Sequence, residues 1–144
     1  FEINSNIINT LKNNLIINKV EFDLYNKNLL VEKNFKNNYF YETNNFLESS
    51  IYKNDGTKRR FQSINHELIR DFNVYNTLVI DAEGQEKYYI ENIKKFSHIK
   101  HIFFELHYNL LSKNDINKIF ENLEKNNFLF KDKSFNSFYY ARDF

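Results

Sequence analysis

The chain contains no cysteine, no methionine, no proline and no tryptophan, and it has only two glycines among 144 residues. The absence of cysteine excludes a disulfide framework, a thiolate metal site and a cysteine nucleophile. The absence of proline excludes a proline-rich linker between domains. Because translation starts with methionine and this sequence starts with Phe1, we expect residues of the same protein to precede it.

Charge and hydropathy exclude further classes. The formal net charge is only +1, and the basic residues are scattered, so we predict no nucleic-acid partner. No apolar run approaches the roughly 18 residues that cross a bilayer, and no signal peptide is recognisable, so we predict a cytoplasmic protein without a membrane partner. The length and the 42% hydrophobic content fit one globular domain over residues 1–144.

Hydrophobic periodicity predicts alternating helices and strands, which is typical of an α/β fold with a mostly parallel sheet and right-handed crossovers. Two final strands separated by a short polar segment predict a C-terminal antiparallel hairpin. The predicted helices cover residues 4–14, 65–72, 86–96 and 115–126, and the predicted strands cover 19–26, 38–43, 59–64, 77–80, 101–106, 128–131 and 137–141. Residues 54–57, NDGT, are the strongest turn signal.

Two apolar runs end in acids. The segment TLVIDAEGQE, residues 77–86, places Asp81 and Glu83 directly after a buried strand. The segment HIFFELH, residues 101–107, places Glu105 at the end of a second strand and His107 two residues later. Ligands of open α/β sheets bind beyond the carboxyl ends of the parallel strands, so the sequence predicts a site at this edge.

These two motifs resemble those of FkbM-type methyltransferases, in which one strand ends in I-D-x-E-G-x-E and the following strand ends in E-x-H. The match continues upstream, where FEINSNIINTLKNNLIIN is similar to the family's F-E-P segment, with Ile3 in place of the proline. ESSIY and FQSINHELIRDF occupy the places of further family segments, the second without a clean match. The resemblance therefore covers essentially the whole chain, and its specific parts are IDAEGQE and FELH.

The resemblance implies a Rossmann-like class I methyltransferase sheet and the cofactor S-adenosylmethionine. It implies that Glu2 binds the cofactor ribose and that Asp81 lies where the methyl donor and the acceptor meet. Asp81 and Glu83 would orient the acceptor hydroxyl or stabilise the sulfonium. His107 is the candidate base for that hydroxyl, oriented by Glu105.

Structural alternatives apply to the same residues. Asp81 is equally suited to cap the helix that follows it, and Gly84 to permit the turn. Glu105 and His107 also fit a hydrogen-bonded structural pair. The acids and the imidazole are suitable ligands for a hard divalent metal, although no other feature of the sequence supports one, and we assign no metal. The basic cluster Lys58–Arg60 fits a phosphate-bearing substrate less well than a solvated hairpin end.

The expected activity is methylation of a hydroxyl on a sugar, glycan or secondary metabolite, with a small-molecule or glycan acceptor. The alternative is a non-catalytic, truncated remnant of the same ancestry that acts as an interaction or accessory domain. Fusion to, or association with, a glycosyltransferase would fit either class.

The sequence departs from the family at one essential point. Gly56 and Gly84 are the only glycines, so the glycine-rich turn that binds the methionine part of the cofactor has no counterpart here. In the family this turn follows a central first strand, which we expect upstream of Phe1. Without that strand, residues 77–81 would have an unpaired edge, and the domain would be partial and truncated at its N-terminus.

We therefore predict that these 144 residues alone bind no measurable S-adenosylmethionine in isothermal titration calorimetry. Tight binding would contradict the expected truncation.

Overall fold

The fold is described from a computed structural model, which covers residues 1–31, 39–43 and 56–143. Three α-helices and eight strands form within these residues. The helices are α1 (Ile8–Ile17), α2 (Glu86–Glu91) and α3 (Lys113–Lys125). The strands are β1 (Asn28–Leu30), β2 (Tyr39–Glu42), β3 (Thr57–Arg60), β4 (Ser63–Asn65), β5 (Thr77–Ile80), β6 (His101–Glu105), β7 (Leu129–Ser134) and β8 (Ser137–Ala141).

The largest sheet has four strands in the order β5-β6-β8-β7. β5 runs parallel to β6, with Ile80 opposite Phe104, and β8 runs antiparallel to both β6 and β7. The strand predicted over 77–80 and the C-terminal hairpin are therefore confirmed. The strand is not buried as predicted, since only its last residue, Ile80, is buried. A parallel pair of β1 and β4 and an antiparallel pair of β2 and β3 form two smaller sheets.

The described residues confirm a mixed α/β fold but not a mostly parallel sheet. Two of the five strand pairings are parallel and three are antiparallel. The parallel pair β5 and β6 is joined through α2, as a crossover connection requires. The carboxyl ends of these two strands consequently lie at the same edge of the sheet.

The hydrophobic core lies between one face of the four-stranded sheet and helices α2 and α3. Along β6, Ile102 and Phe104 are buried against the helices, whereas Phe103 between them is 41% exposed. The opposite face carries Val79, which is 71% exposed, and Tyr139, whose ring stacks on Phe103 with centroids 4.3 Å apart. Among the described residues, helices thus cover one face of this sheet, while a doubly wound sheet would be covered on both.

The outer edge of β5 has no partner strand within the described residues. A groove of about 400 Å³ runs along this edge and reaches Asp81 at the end of the strand. Its walls are largely apolar and include Leu78, Ile80, Tyr25 and Phe72. The groove therefore connects an open sheet edge to the predicted site.

The N-terminal predictions are less accurate. The first helix begins at Ile8 rather than near residue 4, and it buries no residue completely. Residues 19–26 form no strand, although their side chains alternate in polarity. Such alternation produces a strand only when another strand supplies backbone hydrogen-bond partners. The apolar side chains of this segment are also not all buried, since Val20 is 47% exposed.

Three further boundaries differ from the predicted ones. The strand predicted over 59–64 is divided between β3 and β4, which belong to different sheets. The helix predicted over 65–72 consists of two short 3₁₀ turns, at His66–Leu68 and Phe72–Val74. The helix predicted over 86–96 ends at Glu91 and is followed by a 3₁₀ turn at Ile93–Lys95. Part of the NDGT turn, residues 54 and 55, and the ESSIY segment lie outside the described residues.

An ion pair fixes α2 against α3. Ser112 caps α3 by accepting a hydrogen bond from the Asp115 backbone N–H, and the Asp115 carboxylate accepts one from the Ser112 backbone. Lys87 of α2 donates a hydrogen bond of 2.6 Å to the same carboxylate. These contacts, of which the bond from Lys87 is the strongest, lower the pKa of Asp115 to about 2.

Asp115→Asn should destabilise the protein at neutral pH but not in strong acid. The pKa of Asp115 is depressed in the folded state, so its contribution is complete above about pH 4 and disappears as the pH falls through about 2. Urea denaturation at a series of pH values measures the difference between wild type and variant. Asp143→Asn, at an exposed position, is the matched control. A difference that persisted unchanged down to pH 2 would contradict the assignment.

Candidate active site

The loop between β5 and α2 has an unusual backbone. Glu83 has a φ of 46° and Gly84 a φ of 99°, both in the left-handed region. Glycine at position 84 adopts this conformation without the steric cost that other residues meet, and Glu83 adopts it at some cost. The consequence is a tight turn that returns the Glu83 carboxylate toward the end of β6.

A fully buried carboxylate holds this loop in place. Glu86, the first residue of α2, is 0% exposed, and its Oε1 accepts the backbone N–H of Gly84 at 3.1 Å and of Ala82 at 3.4 Å. The same oxygen lies 2.8 Å from Nδ1 of His107. Glu86 therefore connects the loop after β5 to the residues after β6.

His107 is directed into the cluster from the neighbouring strand. β6 ends at Glu105, and the buried Leu106 donates its backbone N–H to Asn136. The imidazole that follows is only 13% exposed. Its Nε2 lies 3.3 Å from Oε1 of Glu83 and 3.7 Å from Oδ1 of Asp81, so one ring contacts three carboxylates.

These carboxylates make the imidazole more basic than usual. The hydrogen bond to Glu86 is the main cause that raises the pKa of His107 to about 8, burial opposes the rise, and the charges of Glu86, Glu83 and Asp81 add to it. The imidazolium is therefore the major form at neutral pH. Acting as a base in its neutral form, as the sequence analysis expects of it, would require alkaline pH.

Glu105 completes the cluster. One ligand atom each of Asp81, Glu105 and His107 lies within 4.8 Å of the other two. Together with Glu83, all four predicted catalytic residues thus meet at the carboxyl ends of β5 and β6. The carboxylate that orients His107, however, is Glu86 rather than Glu105.

No role for Glu86 was predicted from the sequence. It is the last acid of the IDAEGQE motif, and its position at the start of α2 resembled that of an ordinary first-turn acid. The one available signal was its spacing of five residues from Asp81, across a turn that contains glycine. Nothing in the sequence indicated that this side chain would be buried.

Asp81 does not cap the helix that follows it. The N-terminal cap position of α2 is Gln85, and no side chain accepts a capping hydrogen bond there. The Asp81 carboxylate is instead 66% exposed and faces His107. This leaves it accessible to a ligand in the groove beside β5, which it lines.

Glu2 lies apart from the cluster. Its carboxylate accepts the backbone N–H of Asn4 at 2.7 Å, and it makes no hydrogen bond or ion pair with a cluster residue. Its neighbour Phe1 stacks on Tyr25 with ring centroids 5.2 Å apart, and both rings line the groove that ends at Asp81. Glu2 therefore has no direct contact with Asp81, and only its neighbour Phe1 lines the groove that Asp81 also lines.

Two of the other histidines and one residue of the basic cluster have local structural partners. Nδ1 of His66 lies 3.3 Å from the carbonyl oxygen of Leu30, and His101 contacts the Tyr139 hydroxyl at 3.0 Å. Arg59 of the exposed strand β3 forms an ion pair with Glu42. None of these contacts extends to His107.

Comparisons with protein-family models, with curated proteins and with solved structures found no match to this chain. Among the described helices, none combines the length and the apolar character that a membrane span requires.

Glu86→Ala should destabilise the folded chain by about 3 kcal/mol, because it leaves two backbone N–H groups and the His107 ring without their buried acceptor. Glu86→Gln keeps an acceptor oxygen and should cost less. Urea denaturation near neutral pH measures both changes. Glu91→Ala in the same helix, at an exposed position, should change the free energy of unfolding by less than about 0.5 kcal/mol. Equal effects of Glu86→Ala and Glu91→Ala would show that Glu86 does not hold the loop.

Proposed function

We propose that this protein is an S-adenosylmethionine-dependent methyltransferase that acts on a hydroxyl of a sugar, a glycan or a secondary metabolite. The observation that carries the proposal is the meeting of Asp81, Glu83, Glu105 and His107 at the carboxyl ends of two neighbouring parallel strands. These are the residues of the IDAEGQE and FELH motifs, and this edge is where α/β sheets bind ligands.

The groove beside β5 suits a cationic nucleoside in those parts that a strand pairing with β5 would leave open. Its lining includes the acids Glu21, Asp23 and Asp81 and, among the described residues, no lysine or arginine. The stacked rings of Phe1 and Tyr25 offer an apolar surface in the same groove. Glu2 would hold the ribose hydroxyls, as a carboxylate suits two neighbouring hydroxyl groups. The cofactor supplies an electrophilic methyl group, and the protein supplies alignment.

The cluster would position the acceptor. The Asp81 carboxylate is exposed enough to accept a hydrogen bond from a hydroxyl of the acceptor. The contact with Glu86 holds the His107 ring beside Asp81. A site that holds the hydroxyl in line with the methyl group makes a bimolecular reaction effectively unimolecular. This positioning is the main contribution of a binding site to such a displacement.

A non-catalytic accessory domain is the second candidate. The open edge of β5 favours it, since an unpaired strand edge is a surface on which another polypeptide can add a strand. The absence of a glycine-rich turn from these 144 residues favours it as well. Association with a glycosyltransferase would give such a domain a role.

Methyl transfer should be measured on the longest open reading frame that contains this chain. We expect release of S-adenosylhomocysteine with at least one hydroxyl-bearing acceptor from a set of nucleotide sugars and free glycans. Asp81→Asn should lower kcat/KM by about 100-fold, because it removes the charge that orients the acceptor. Asp143→Asn, an exposed change elsewhere, should leave the rate unchanged. If the protein neither binds S-adenosylmethionine nor releases S-adenosylhomocysteine with any acceptor, the result would favour the accessory domain.

A further inference from the structure

Asp81, Glu105 and His107 are spaced as the ligands of a small cation are spaced. Their three ligand atoms lie within 4.8 Å of one another. Ligands of a six-coordinate Mg²⁺ lie about 2.1 Å from the ion, and hence about 3 Å from their neighbours and about 4.2 Å from the ligand opposite. Small side-chain rotations would therefore close the cluster around one ion.

The contact of His107 with Glu86 is of the kind that a metal-binding histidine makes. A histidine that binds a metal through one ring nitrogen generally donates the N–H of the other to a carboxylate, which fixes the ring and its tautomer. Nδ1 of His107 lies 2.8 Å from the fully buried Glu86, whose position is fixed in turn by two backbone N–H groups. In the neutral ring, the lone pair of Nε2 then faces Asp81 and Glu83.

The charges of the cluster also favour a bound cation. Three carboxylates, those of Asp81, Glu86 and Glu105, lie near a single imidazole. Within the described residues, no lysine or arginine forms an ion pair with Asp81, Glu86 or Glu105, and Oε2 of the buried Glu86 has no hydrogen-bond partner. A divalent cation would offset this surplus of negative charge.

We propose that Asp81, Glu105 and His107 bind one divalent cation of the Mg²⁺ and Mn²⁺ class. Two carboxylates and one imidazole suit these ions, and Glu83 lies close enough to Nε2 to act as a further ligand. Because the Asp81 side chain is 66% exposed, the remaining coordination positions face solvent and the groove beside β5.

The role of the cation rests on the proposed function, although its binding does not. An acceptor hydroxyl that coordinates the cation releases its proton to water more readily than a free hydroxyl does. The cation would thus activate the acceptor directly. It would also fix the acceptor oxygen beside Asp81.

Mn²⁺ binding to the 144-residue chain tests the site without an activity measurement. Electron paramagnetic resonance should show the free Mn²⁺ signal decreasing until one ion is bound per chain. Asp81→Asn and Glu105→Gln should each weaken binding by at least about tenfold, and Asp143→Asn should not. Asp81 is exposed, so its variant should keep the fold, which circular dichroism checks. Equal Mn²⁺ affinity in all four proteins would overturn the proposal.

The wild-type protein supplies a second measurement that needs no variant. Paramagnetic Mn²⁺ should broaden the ring proton resonances of His107 at lower ion concentrations than those of His66, His98 and His101. Equal broadening of all four rings would show that the ion binds elsewhere or nonspecifically. Specific broadening at His107 in a protein that transfers no methyl group would support the metal site and contradict the methyltransferase. Methyl transfer by a protein that binds no Mn²⁺ would contradict the metal site and support the methyltransferase.

Discussion

The buried contact between Glu86 and His107 is the interaction on which the candidate site depends. It joins the loop after β5 to the residues after β6 over 2.8 Å, and the same carboxylate oxygen accepts two backbone N–H groups of that loop. A carboxylate that is 0% exposed is stable only when its charge is compensated, and the imidazole provides that compensation. The positions of Asp81 and Glu83 relative to Nε2 follow from this single anchor.

The anchor works because β5 and β6 are parallel neighbours. Thr77 lies opposite His101 and Ile80 opposite Phe104 in this pairing. The pairing therefore brings two chain segments that are 24 residues apart in sequence to the same edge of the sheet. Buried Ile102 and Phe104 fix β6 against the helices, and Lys87 fixes α2 to α3 through Asp115. A one-residue shift of either strand would turn its buried side chains outward, so packing of the core also sets the geometry of the cluster.

The sequence predicted this half of the fold better than the other half for a physical reason. In β6 and α3 the pattern of apolar residues reflects burial in one core, and that pattern is readable in the chain itself. In β5 the continuous apolar run predicted the strand correctly, although only Ile80 of it is buried. In residues 19–26 the same kind of alternation produced no strand, because a strand needs a neighbour that the sequence does not specify. The meeting of Asp81, Glu83, Glu105 and His107 was predictable from strand order, whereas the role of Glu86 depended on burial that only packing creates.

The arrangement of charge explains why this cluster is better understood as a binding site than as a stabilising network. Carboxylates around one imidazole repel each other, and Glu83 adopts a left-handed backbone conformation to take part. Both features oppose folding. Strain of this kind persists only where the surrounding structure is stable enough to hold it, and it is most common at functional sites. A network selected for stability would place lysine or arginine beside Asp81, as the fold does with Lys87 beside Asp115. Asp115 is paired with a lysine, whereas within the described residues Asp81, Glu86 and Glu105 share only the imidazole of His107. This contrast supports the proposal that the cluster binds a further cation from outside the chain.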